Sequence, residues 1–552
     1  MKRPILKIAL LLLSIAFLLP ARAQTWKWAT GSISPKSFIE CWTVAADQMG
    51  NVYSAGNSGS FSYPFDSVKC YFGSDTVIAP RSIVIVSTDS NGHYRWAMGA
   101  TAGFGEPSNV VTDNENNLYV FGFYSSNITI GGLSLSGGGS YGSFCAKISS
   151  SGSMVWLKNV AGGYGWPFGA VDAVGNVYVT GSYKGAHLTI GTTTLTNSDP
   201  TGVTTDIYVA KLDSSGNPLW AMGLGGDTSE TAYGISVTGN GKVSISGIYS
   251  SNIFHAGTHT LTHLPASTNS NLYVVQLSTT GVVSWARQLD AASYAIIAGI
   301  AVDNINNTYV TGAYDMYLGI GADTLAYSPG STMYLAKFSP TGLLVWARAF
   351  DGFKNPGALA VDHCGVVWVA GSGAAPGSPY GIDKMYLVKL DSAGTMHDTI
   401  DVPVGGDDAM GISVDYNGNL YLGADYYVNA MIGPDSLVLR DSTEEPLFVA
   451  RYSYPVCATG EGSLITKRSE ITGNAIRIYP NPVSDECIVQ TNNPATLITR
   501  IEIFDFTGRL VYEGSPDRNF ITLSLSNFRP GVYTCKITSG NHVINIEKLI
   551  KN

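Results

Sequence analysis

The sequence predicts an all-β protein: a seven-bladed β-propeller closed by its own N-terminal strand, followed by a small C-terminal β-sandwich. The unit that predicts it is a pair of phrases, VDAVGNVYVTG at 171–181 and YVAKLDSSGNPLW at 208–220. In each phrase, β-branched and aromatic residues flank a turn rich in Asp, Ser, Asn and Gly, as in a β-hairpin. Two hairpins give a four-stranded antiparallel sheet, whose strands we call a, b, c and d in chain order.

The a–b turn of this unit recurs along the chain, and its recurrence predicts the blades. Successive turns lie 66, 59, 66, 65, 59 and 53 residues apart, which gives seven units. A constant turn with irregular spacing indicates loops of varying length on a fixed sheet, as in propellers and unlike solenoids. Each turn begins with at most one carboxylate, so we interpret that residue as a turn cap rather than a calcium ligand. The turns begin at Asp47, Asp113, Asp172, Thr238, Asp303, Asp362 and Asp415.

The two ends of the repeat region predict how the ring closes. The seventh unit stops after its strand c, at 448–452, whereas Trp28 lies in a strand-d phrase with no strands a to c before it. We therefore expect the N-terminal strand to complete the last blade and to cover its free edge. Strand d carries a tryptophan in the first five units, at Trp96, Trp156, Trp220, Trp285 and Trp346, and Asp398 in the sixth.

The first 23 residues predict a secretory signal peptide. Lys2, Arg3 and Lys7 precede an apolar run at 8–19, and small residues at 21–23 fit a cleavage site. The run is too short to span a membrane, and no other run approaches that length, so no transmembrane segment is expected in the mature chain. The propeller is expected to occupy residues 24–455.

Composition and cysteine usage agree with an exported β protein. Charged residues make up 13% and the formal net charge is −9, with no basic run, so nucleic acid is excluded as a partner. The seven cysteines are too scattered for a disulfide-dependent fold or a zinc site. Two pairings stand as hypotheses, Cys41 with Cys70 and Cys487 with Cys535.

The d–a connections predict where a ligand binds. In a four-stranded blade the a–b and c–d turns share one face of the disc, and the variable b–c and d–a connections share the other, which we call the loop face. Aromatic residues beside carboxylates at the mouth of the channel suit sugar stacking or a cation, although turn composition alone also explains them. The candidate ligand-binding residues are Tyr164, Trp166, Asp227, Glu230, Tyr233, Tyr294 and Phe353.

Other chemistry has weaker support in the sequence. Paired carboxylates for a polysaccharide hydrolase or lyase would come from different blades, and the candidates are Asp227, Glu230, Asp407 and Asp408. His255, His259 and His263 form the only histidine cluster, but the turn expected at 256–258 separates the first from the other two, so a metal site is a minor alternative. No cofactor is predicted.

The C-terminal residues predict a separate β module. Residues 456–474 lack the repeat and read as a linker, whereas 475–552 alternate as a small β-sandwich. Four phrases of this module resemble the type A C-terminal sorting domain of the type IX secretion system of Bacteroidota. The phrases are YPNP at 479–482, DFTGR at 505–509, PGVY at 530–533 and KLIK at 548–551. The residues that carry the resemblance are Tyr479, Pro480, Asn481, Pro482, Asp505, Gly508, Arg509, Gly531, Tyr533 and Lys548.

The resemblance implies an export route and a location. It implies that the signal peptide leads the chain across the inner membrane and that the type IX machinery recognises the sorting domain at the outer membrane. Removal of that domain then leaves the propeller secreted or attached to the outer cell surface. Cys487 and Cys535 are not part of the family's pattern.

The repeats also resemble a known family, and this resemblance leaves the function open. The phrases Val-Asp-x-x-Gly-Asn-x-Tyr-Val-x-Gly and Lys-Leu-Asp-x-x-Gly-x-x-x-Trp are similar to the bacterial β-propeller repeats called SBBP. That family implies a fold but no common activity. We expect a binding module for an extracellular protein or glycan. The alternatives are the polysaccharide hydrolase or lyase and a structural surface component.

Overall fold

A computed structural model describes most of the chain as β-strands, with no helix among the described residues. It divides into two compact units, Met1–Cys457 and Ala458–Asn552. The expected signal peptide and linker lie outside the described residues. Those residues are 25–35, 37–60, 68–79, 82–161, 164–263, 271–291, 293–321, 323–374, 383–405, 411–415, 417–440, 444–454, 476–479, 486–491, 497–505, 509–529, 531–539 and 542–551.

The described residues of the first unit form 36 strands. Those of its N-terminal half are β1 (Thr25–Gly31), β2 (Ser37–Ile39), β3 (Thr43–Ala46), β4 (Val52–Ser60), β5 (Val68–Phe72), β6 (Asp75–Ala79), β7 (Ser82–Thr88), β8 (Tyr94–Thr112), β9 (Leu118–Ile130), β10 (Leu133–Ile148), β11 (Met154–Ala161), β12 (Tyr164–Val171), β13 (Val177–Lys184), β14 (His187–Ile190), β15 (Thr193–Thr196), β16 (Thr205–Leu212) and β17 (Pro218–Leu224). Those of its C-terminal half are β18 (Glu230–Val237), β19 (Val243–Tyr249), β20 (Ile253–Ala256), β21 (His259–Thr262), β22 (Asn271–Leu277), β23 (Val283–Ala291), β24 (Ala295–Val302), β25 (Thr308–Ile320), β26 (Asp323–Phe338), β27 (Leu344–Phe350), β28 (Pro356–Val361), β29 (Val367–Ala374), β30 (Asp383–Leu390), β31 (Met396–Gly405), β32 (Gly411–Val414), β33 (Asn419–Asp425), β34 (Ala430–Ile432), β35 (Asp435–Leu437) and β36 (Leu447–Ser453).

Strand pairing repeats one antiparallel arrangement in which a, b, c and d are neighbours. The arrangement is traced in β3-β4-β7-β8, β8-β9-β10-β11, β12-β13-β16-β17, β18-β19-β22-β23, β24-β25-β26-β27, β28-β29-β30-β31 and β32-β33-β36-β1, where the long β8 serves two sheets. The strands a lie side by side in the order β3, β8, β12, β18, β24, β28 and β32, and β32 lies beside β3. The N-terminal strand β1 pairs with β36. The protein is therefore an all-β propeller.

The a–b turns are held by local hydrogen bonds of the Asp side chain. Asp47 Oδ1 accepts the backbone N–H groups of Met49 and Asn51 at 2.9 and 2.8 Å, and its Oδ2 accepts Asn51 Nδ2 at 2.7 Å and Tyr53 Oη at 3.1 Å. Asp113, Asp172, Asp303 and Asp415 make the same set of contacts. The carboxylates are therefore turn caps, and the Tyr hydroxyl anchors each turn to strand b.

The strand-d tryptophans join each unit to the next one. Each indole N–H donates to a backbone carbonyl in the c–d turn of the following unit. Trp28 does the same toward the first unit, which places the N-terminal strand in the position of a strand d. The pairs and distances are Trp28 to Ser90 2.9 Å, Trp96 to Ser150 3.1 Å, Trp156 to Ser214 3.1 Å, Trp220 to Thr279 3.3 Å, Trp285 to Pro340 3.3 Å and Trp346 to Ser392 3.1 Å.

The junction of the sixth and seventh units uses a different contact, because Asp398 stands where the other units have tryptophan. Here Tyr454 Oη donates to Asp362 Oδ2 at 2.8 Å, and the Tyr454 ring lies 5.0 Å from Trp368. Asp362 lacks the Asn and Tyr partners of the other turns that begin with Asp, since Val366 and Trp368 occupy their positions. Tyr454 thus satisfies this carboxylate from the neighbouring unit.

Where the structure describes them, the variable b–c connections form hairpins that cover the outer edges of the sheets. The hairpin of the second unit pairs with strand d of the first, with Ala100 opposite Ile130, and that of the fifth unit pairs with strand d of the fourth. Asp75 Oδ2, on a hairpin, accepts the N–H of Ala97 on an outer strand at 3.2 Å. These segments therefore protect sheet edges, which limits the loop face to the d–a connections and the adjoining ends of strands b and c.

The second unit is a β-sandwich. Its strands are β37 (Ile476–Tyr479), β38 (Glu486–Thr491), β39 (Arg500–Phe504), β40 (Leu510–Gly514), β41 (Phe520–Ser524), β42 (Gly531–Ser539) and β43 (His542–Lys551). They form the sheets β37-β38-β41 and β40-β39-β42-β43. Val489 and Leu523 of the first sheet share one buried core with Ile503 and Ile537 of the second.

Both hypothetical disulfides are wrong. Cys41 and Cys70 are buried free thiols, and burial raises the pKa of each to about 12, so neither forms a thiolate at neutral pH. Cys41 lies against strand b of the seventh unit, whereas Cys70 lies on a hairpin at the outer edge. Cys487 is also a free thiol, so no bridge to Cys535 forms. Cys364 is disulfide-bonded.

Candidate functional site

Aromatic side chains from the first three propeller units meet on the loop face. The rings of Trp42 and Trp166 are 6.5 Å apart and inclined by 28°. Phe123 contacts the edge of Trp166 at 5.8 Å and lies 5.7 Å from Phe104 and 6.1 Å from Tyr141. We call these five residues the aromatic patch. It spans the beginnings of three strands a, so it lies at the mouth of the channel.

Two glutamates hold the indoles of the aromatic patch. Glu40 Oε2 accepts Trp42 Nε1 at 3.0 Å, and Glu106 Oε2 accepts Trp166 Nε1 at 3.1 Å. Both glutamates stand seven residues before the Asp of their a–b turn. The bond from Glu106 crosses from the second unit to the third, so it fixes the orientation of Trp166 relative to the neighbouring blade.

Close backbone approach positions these glutamates. The carbonyl oxygens of Glu40 and Glu106 point at Gly56 and Gly122 of strand b, where an added Cβ would fall 1.6 and 2.3 Å from them. Only glycine permits this contact between strands a and b. The same approach recurs at Gly247 and Gly312, where an added Cβ would fall 2.0 and 1.9 Å from the carbonyl oxygens of Thr231 and Ile296, whereas Gly181 lies against the Tyr208 ring. The close approach also shows why the two carboxylates emerge at equivalent places beside the channel mouth.

The second and third units are locked together beneath the aromatic patch. Asn109 Nδ2 donates to the carbonyl of Gly169 at 2.7 Å, and the Gly169 N–H donates back to Asn109 Oδ1 at 2.9 Å. Ser108 Oγ donates to the carbonyl of Pro167. These bonds join β8 and β12 immediately after Glu106 and Trp166, so the site is preorganised by rigid strands.

Several side chains around the aromatic patch are open to solvent. Trp166 is 42% exposed and Tyr141 is 53% exposed. Tyr164, two residues before Trp166, is 54% exposed, and Lys184 Nζ lies 5.3 Å above its ring. Of the predicted ligand-binding residues, Tyr164 and Trp166 thus lie at the aromatic patch or beside it.

The other predicted residues lie elsewhere on the ring. Tyr233 and Tyr294 are exposed on the fourth and fifth units, and Phe353 packs against Tyr386 with ring centres 4.8 Å apart. Asp227 is exposed and accepts the backbone and side-chain N–H groups of Asn252, both at 2.9 Å. These bonds, that of the Asn252 side chain first, lower the pKa of Asp227. Asp407 and Asp408 lie outside the described residues.

Glu230 is fully buried at the start of β18. Burial raises the pKa of its carboxyl to about 8, against opposing hydrogen bonds from Ser251 and Gly226. Burial also raises the pKa of the neighbouring Asp206. Because Glu230 is fully buried, its carboxyl is not accessible to a ligand on the loop face, a polysaccharide included.

The histidine cluster is split by its hairpin. Gly257 lies in the turn between β20 and β21, and the pairing puts His255 opposite Thr260 and His259 opposite Ala256. His255 therefore projects to the opposite face of the hairpin from His259. Within the described part of the chain, no three His, Cys, Asp or Glu side chains come together as metal ligands.

Six residues of the site were not among the candidates predicted from the sequence: Glu40, Trp42, Phe104, Glu106, Phe123 and Tyr141. One signal could have identified the carboxylates, since glutamate stands at the same repeat position in the first two units. Phe123 and Tyr141 lie at the ends of strands b and c that adjoin the loop face. Their role is visible only once the blades are placed side by side.

Comparison with known proteins identifies the C-terminal module. Residues 477–552 match the secretion system C-terminal sorting domain. A WD repeat-containing protein of Acanthamoeba polyphaga mimivirus is 27% identical over 172 residues, which cover 29% of this chain and 12% of that protein.

Solved structures of low identity also align with the chain. A chain of the mitotic checkpoint complex has a TM-score of 0.41 and 9% identity, covering 82% of this chain and 96% of its own. The Neurospora crassa Pan2 WD40 domain has a TM-score of 0.31 and 10% identity, covering 64% and 90%. An ulvan lyase of polysaccharide lyase family 25 has a TM-score of 0.38 and 9% identity, covering 75% and 97%.

The sorting domain determines where the protein acts. Such a domain marks proteins handled by the type IX secretion system, many of which remain on the cell surface. Among the described residues, no apolar helix reaches membrane-spanning length. The chain is therefore a β-propeller protein with a type IX sorting domain at 477–552, and it is secreted or attached to the outer cell surface.

Proposed function

We propose that this exported propeller is a binding module that takes a glycan on the aromatic patch. The observation that carries the proposal is the pair Trp42 and Trp166. They come from different blades, lie nearly parallel, and are each fixed through the indole N–H by a glutamate. An indole whose N–H is already bonded presents its ring face, and ring faces stack on the apolar C–H faces of sugars.

The surroundings of the indoles favour a neutral polar ligand. Tyr141 and Tyr164 each combine an aromatic ring with a hydroxyl that donates and accepts hydrogen bonds, as sugar hydroxyls require. The half-buried carboxylate of Glu40 adds an acceptor beside the rings and repels an anionic ligand. Because the strands and glutamates hold the rings in place, little side-chain entropy is lost when a ligand binds.

The experiment is a glycan array with the purified chain, followed by calorimetry on the glycans that bind. We expect Trp42→Ala and Trp166→Ala each to weaken the affinity at least about 10-fold, as for aromatic residues at the centre of an interface. Tyr294→Ala is the matched control, since it removes an exposed aromatic residue from the opposite part of the ring and leaves the affinity unchanged. Binding that survives both tryptophan substitutions, or that disappears with Tyr294→Ala, contradicts the proposal.

The predicted alternative of a polysaccharide hydrolase or lyase receives less support. Glu230 is buried, and both oxygens of Asp227 are engaged by Asn252. We therefore propose binding without turnover. Incubating the bound polysaccharides with the purified chain tests this, because the release of reducing or unsaturated ends would reinstate the enzyme.

A further inference from the structure

Two buried carboxylates lie near each other where the third and fourth propeller units meet, since the charge of Asp206 adds to burial in raising the pKa of Glu230. Asp206 is the second residue of strand c of the third unit and is 2% exposed, and Glu230 begins strand a of the fourth and is 0% exposed. Among the described residues, neither forms an ion pair with lysine, arginine or histidine. Ionising both carboxyls in the interior is costly without such a partner, and a bound cation would remove that cost.

Hydrogen bonds satisfy three of the four carboxylate oxygens. Glu230 Oε2 accepts the Gly226 N–H at 3.1 Å, and its Oε1 accepts the hydroxyl of Ser251. Asp206 Oδ2 accepts the N–H and the hydroxyl of Ser198 at 2.8 and 2.9 Å. Asp206 Oδ1 is buried and has no hydrogen-bond partner in the described part of the chain. A buried carboxylate oxygen with no donor is what a missing ligand leaves behind.

The backbone at the junction brings further oxygens into the same space. An added Cβ at Gly225 would fall 2.2 Å from the Asp206 carboxyl carbon, and one at Gly226 would fall 2.4 Å from both Ser251 Oγ and the carbonyl oxygen of Ile253. The two glycines therefore let carboxylate, hydroxyl and carbonyl oxygens converge. Hard divalent cations prefer such oxygen ligands, and Ca²⁺ tolerates irregular geometry.

We propose that Asp206 and Glu230 bind a Ca²⁺ ion that joins the third and fourth units, with the Ile253 carbonyl and the Ser251 hydroxyl as further oxygen ligands. The charges balance, since one divalent cation neutralises two carboxylates. This site is separate from the aromatic patch and does not depend on glycan binding. It also gives Glu230 a structural role in place of the catalytic or ligand-contacting role that the sequence suggested.

Comparison of the repeated units supports a role for the two carboxylates that is specific to this junction. The positions aligned with Glu230 in the second, third and fifth units are Gly105, Tyr164 and Ala295. The positions aligned with Asp206 in the second, fourth and fifth units are Gly142, Asn271 and Thr332. The blade fold therefore does not itself require a carboxylate at either position.

The test uses the full chain, stripped with a chelator and then titrated with CaCl₂ by calorimetry and by thermal unfolding. We expect saturable binding of one Ca²⁺ and a rise of several degrees in Tm at saturation. Asp206→Asn and Glu230→Gln, which keep the side-chain shape, should each weaken the binding at least 10-fold and abolish the rise in Tm. Asp351→Asn, which removes an exposed carboxylate from another d–a connection, should change neither.

Two results overturn the site. One is the absence of saturable Ca²⁺ binding to the stripped wild-type chain. The other is Ca²⁺ binding that persists in both amide variants. Circular dichroism shows whether each variant is folded. If one variant fails to fold, Ca²⁺ binding by the other is sufficient for the test. Glycan binding measured on the same samples keeps the two proposals distinguishable.

Discussion

Asp113 shows how one residue of the repeat stabilises its blade. Its carboxylate caps the a–b turn, accepts two bonds from the Asn117 side chain, and lies 3.2 Å from Lys147 Nζ, which also sits above the Tyr119 ring. Burial acts to raise the pKa of Asp113, but the hydrogen bonds from Asn117 and the charge of Lys147 outweigh it, and the pKa is lowered. The folded state therefore prefers the ionised form.

This lowered pKa makes a prediction about pH. A carboxyl with a folded pKa below its unfolded value, about 3.9 for Asp, contributes stability above that value and loses it as the pH falls through the folded pKa. Asp113→Asn should lower the free energy of unfolding by about 3 kcal/mol at pH 7, because it leaves a buried lysine unpaired. The difference between the variant and the wild type in free energy of unfolding should shrink below about pH 3.9. Urea denaturation followed by tryptophan fluorescence measures it at each pH.

The control for Asp113 is the less buried turn residue Asp213. Asp213→Asn removes a carboxylate that caps a c–d turn but has no lysine ion pair within the described residues, so its effect at pH 7 should be clearly smaller. Equal losses in the two variants, or a loss in Asp113→Asn that stays constant down to pH 2, would show that the buried ion pair is not the source of the stability.

Among the elements, the contacts between neighbouring blades differ at one junction. Six tryptophans each join one unit to the next through a single hydrogen bond, and Tyr454 replaces this contact between the sixth and seventh units. Its acceptor, the Asp362 carboxylate, is buried. Removing a donor from a buried charged acceptor costs more than removing one from a neutral carbonyl.

Tyr454→Phe tests this junction. We expect a loss of about 2 kcal/mol in the free energy of unfolding, as for a hydrogen bond to a charged group. Tyr314→Phe is the matched control, because Tyr314 Oη donates to the neutral carbonyl of Ala326 at 2.9 Å, and a loss of about 1 kcal/mol is expected. Chemical denaturation of the purified variants measures the loss in free energy of unfolding for each. If Tyr454→Phe loses no more than Tyr314→Phe, the special role of Tyr454 is refuted.

At the scale of the whole molecule, the first and last strands of the propeller complete one sheet. β1 pairs with β36 from Thr25 to Gly31, and the Trp28 indole donates a hydrogen bond to the first unit. Without β1, the edge of β36 would present unpaired backbone N–H and C=O groups, and exposed edges of this kind promote aggregation.

Deleting residues 25–31 tests the role of this strand. We expect the shortened chain to aggregate at concentrations where the full chain stays monomeric, measured by light scattering after size-exclusion chromatography. Trp28→Phe is the control, since it keeps the strand and its ladder but loses the indole bond, and it should remain monomeric with a modest fall in Tm. A shortened chain that stays monomeric with an unchanged Tm would show that β1 does not protect the edge.

The features that could be predicted from the sequence are those that depend on residues close together along the chain. The turn that begins at Asp47 is held by residues two, four and six positions further on, so its pattern is readable in each repeat. The same holds for the alternating strands and the phrases of the sorting domain, and the β-propeller and sandwich followed from them. The cysteine pairings failed because spacing says nothing about which face of which sheet a thiol occupies.

Which distant side chains meet depends on how the blades pack against one another. Trp42 and Trp166 come from the first and third units, and they stack because the strands a stand side by side around the channel. Likewise, Glu230 reads as an exposed loop acid in the sequence but is buried beside Asp206 of the preceding blade. Both outcomes depend on the distance and angle between blades, which arise from the packing of whole sheets and leave no trace in local sequence.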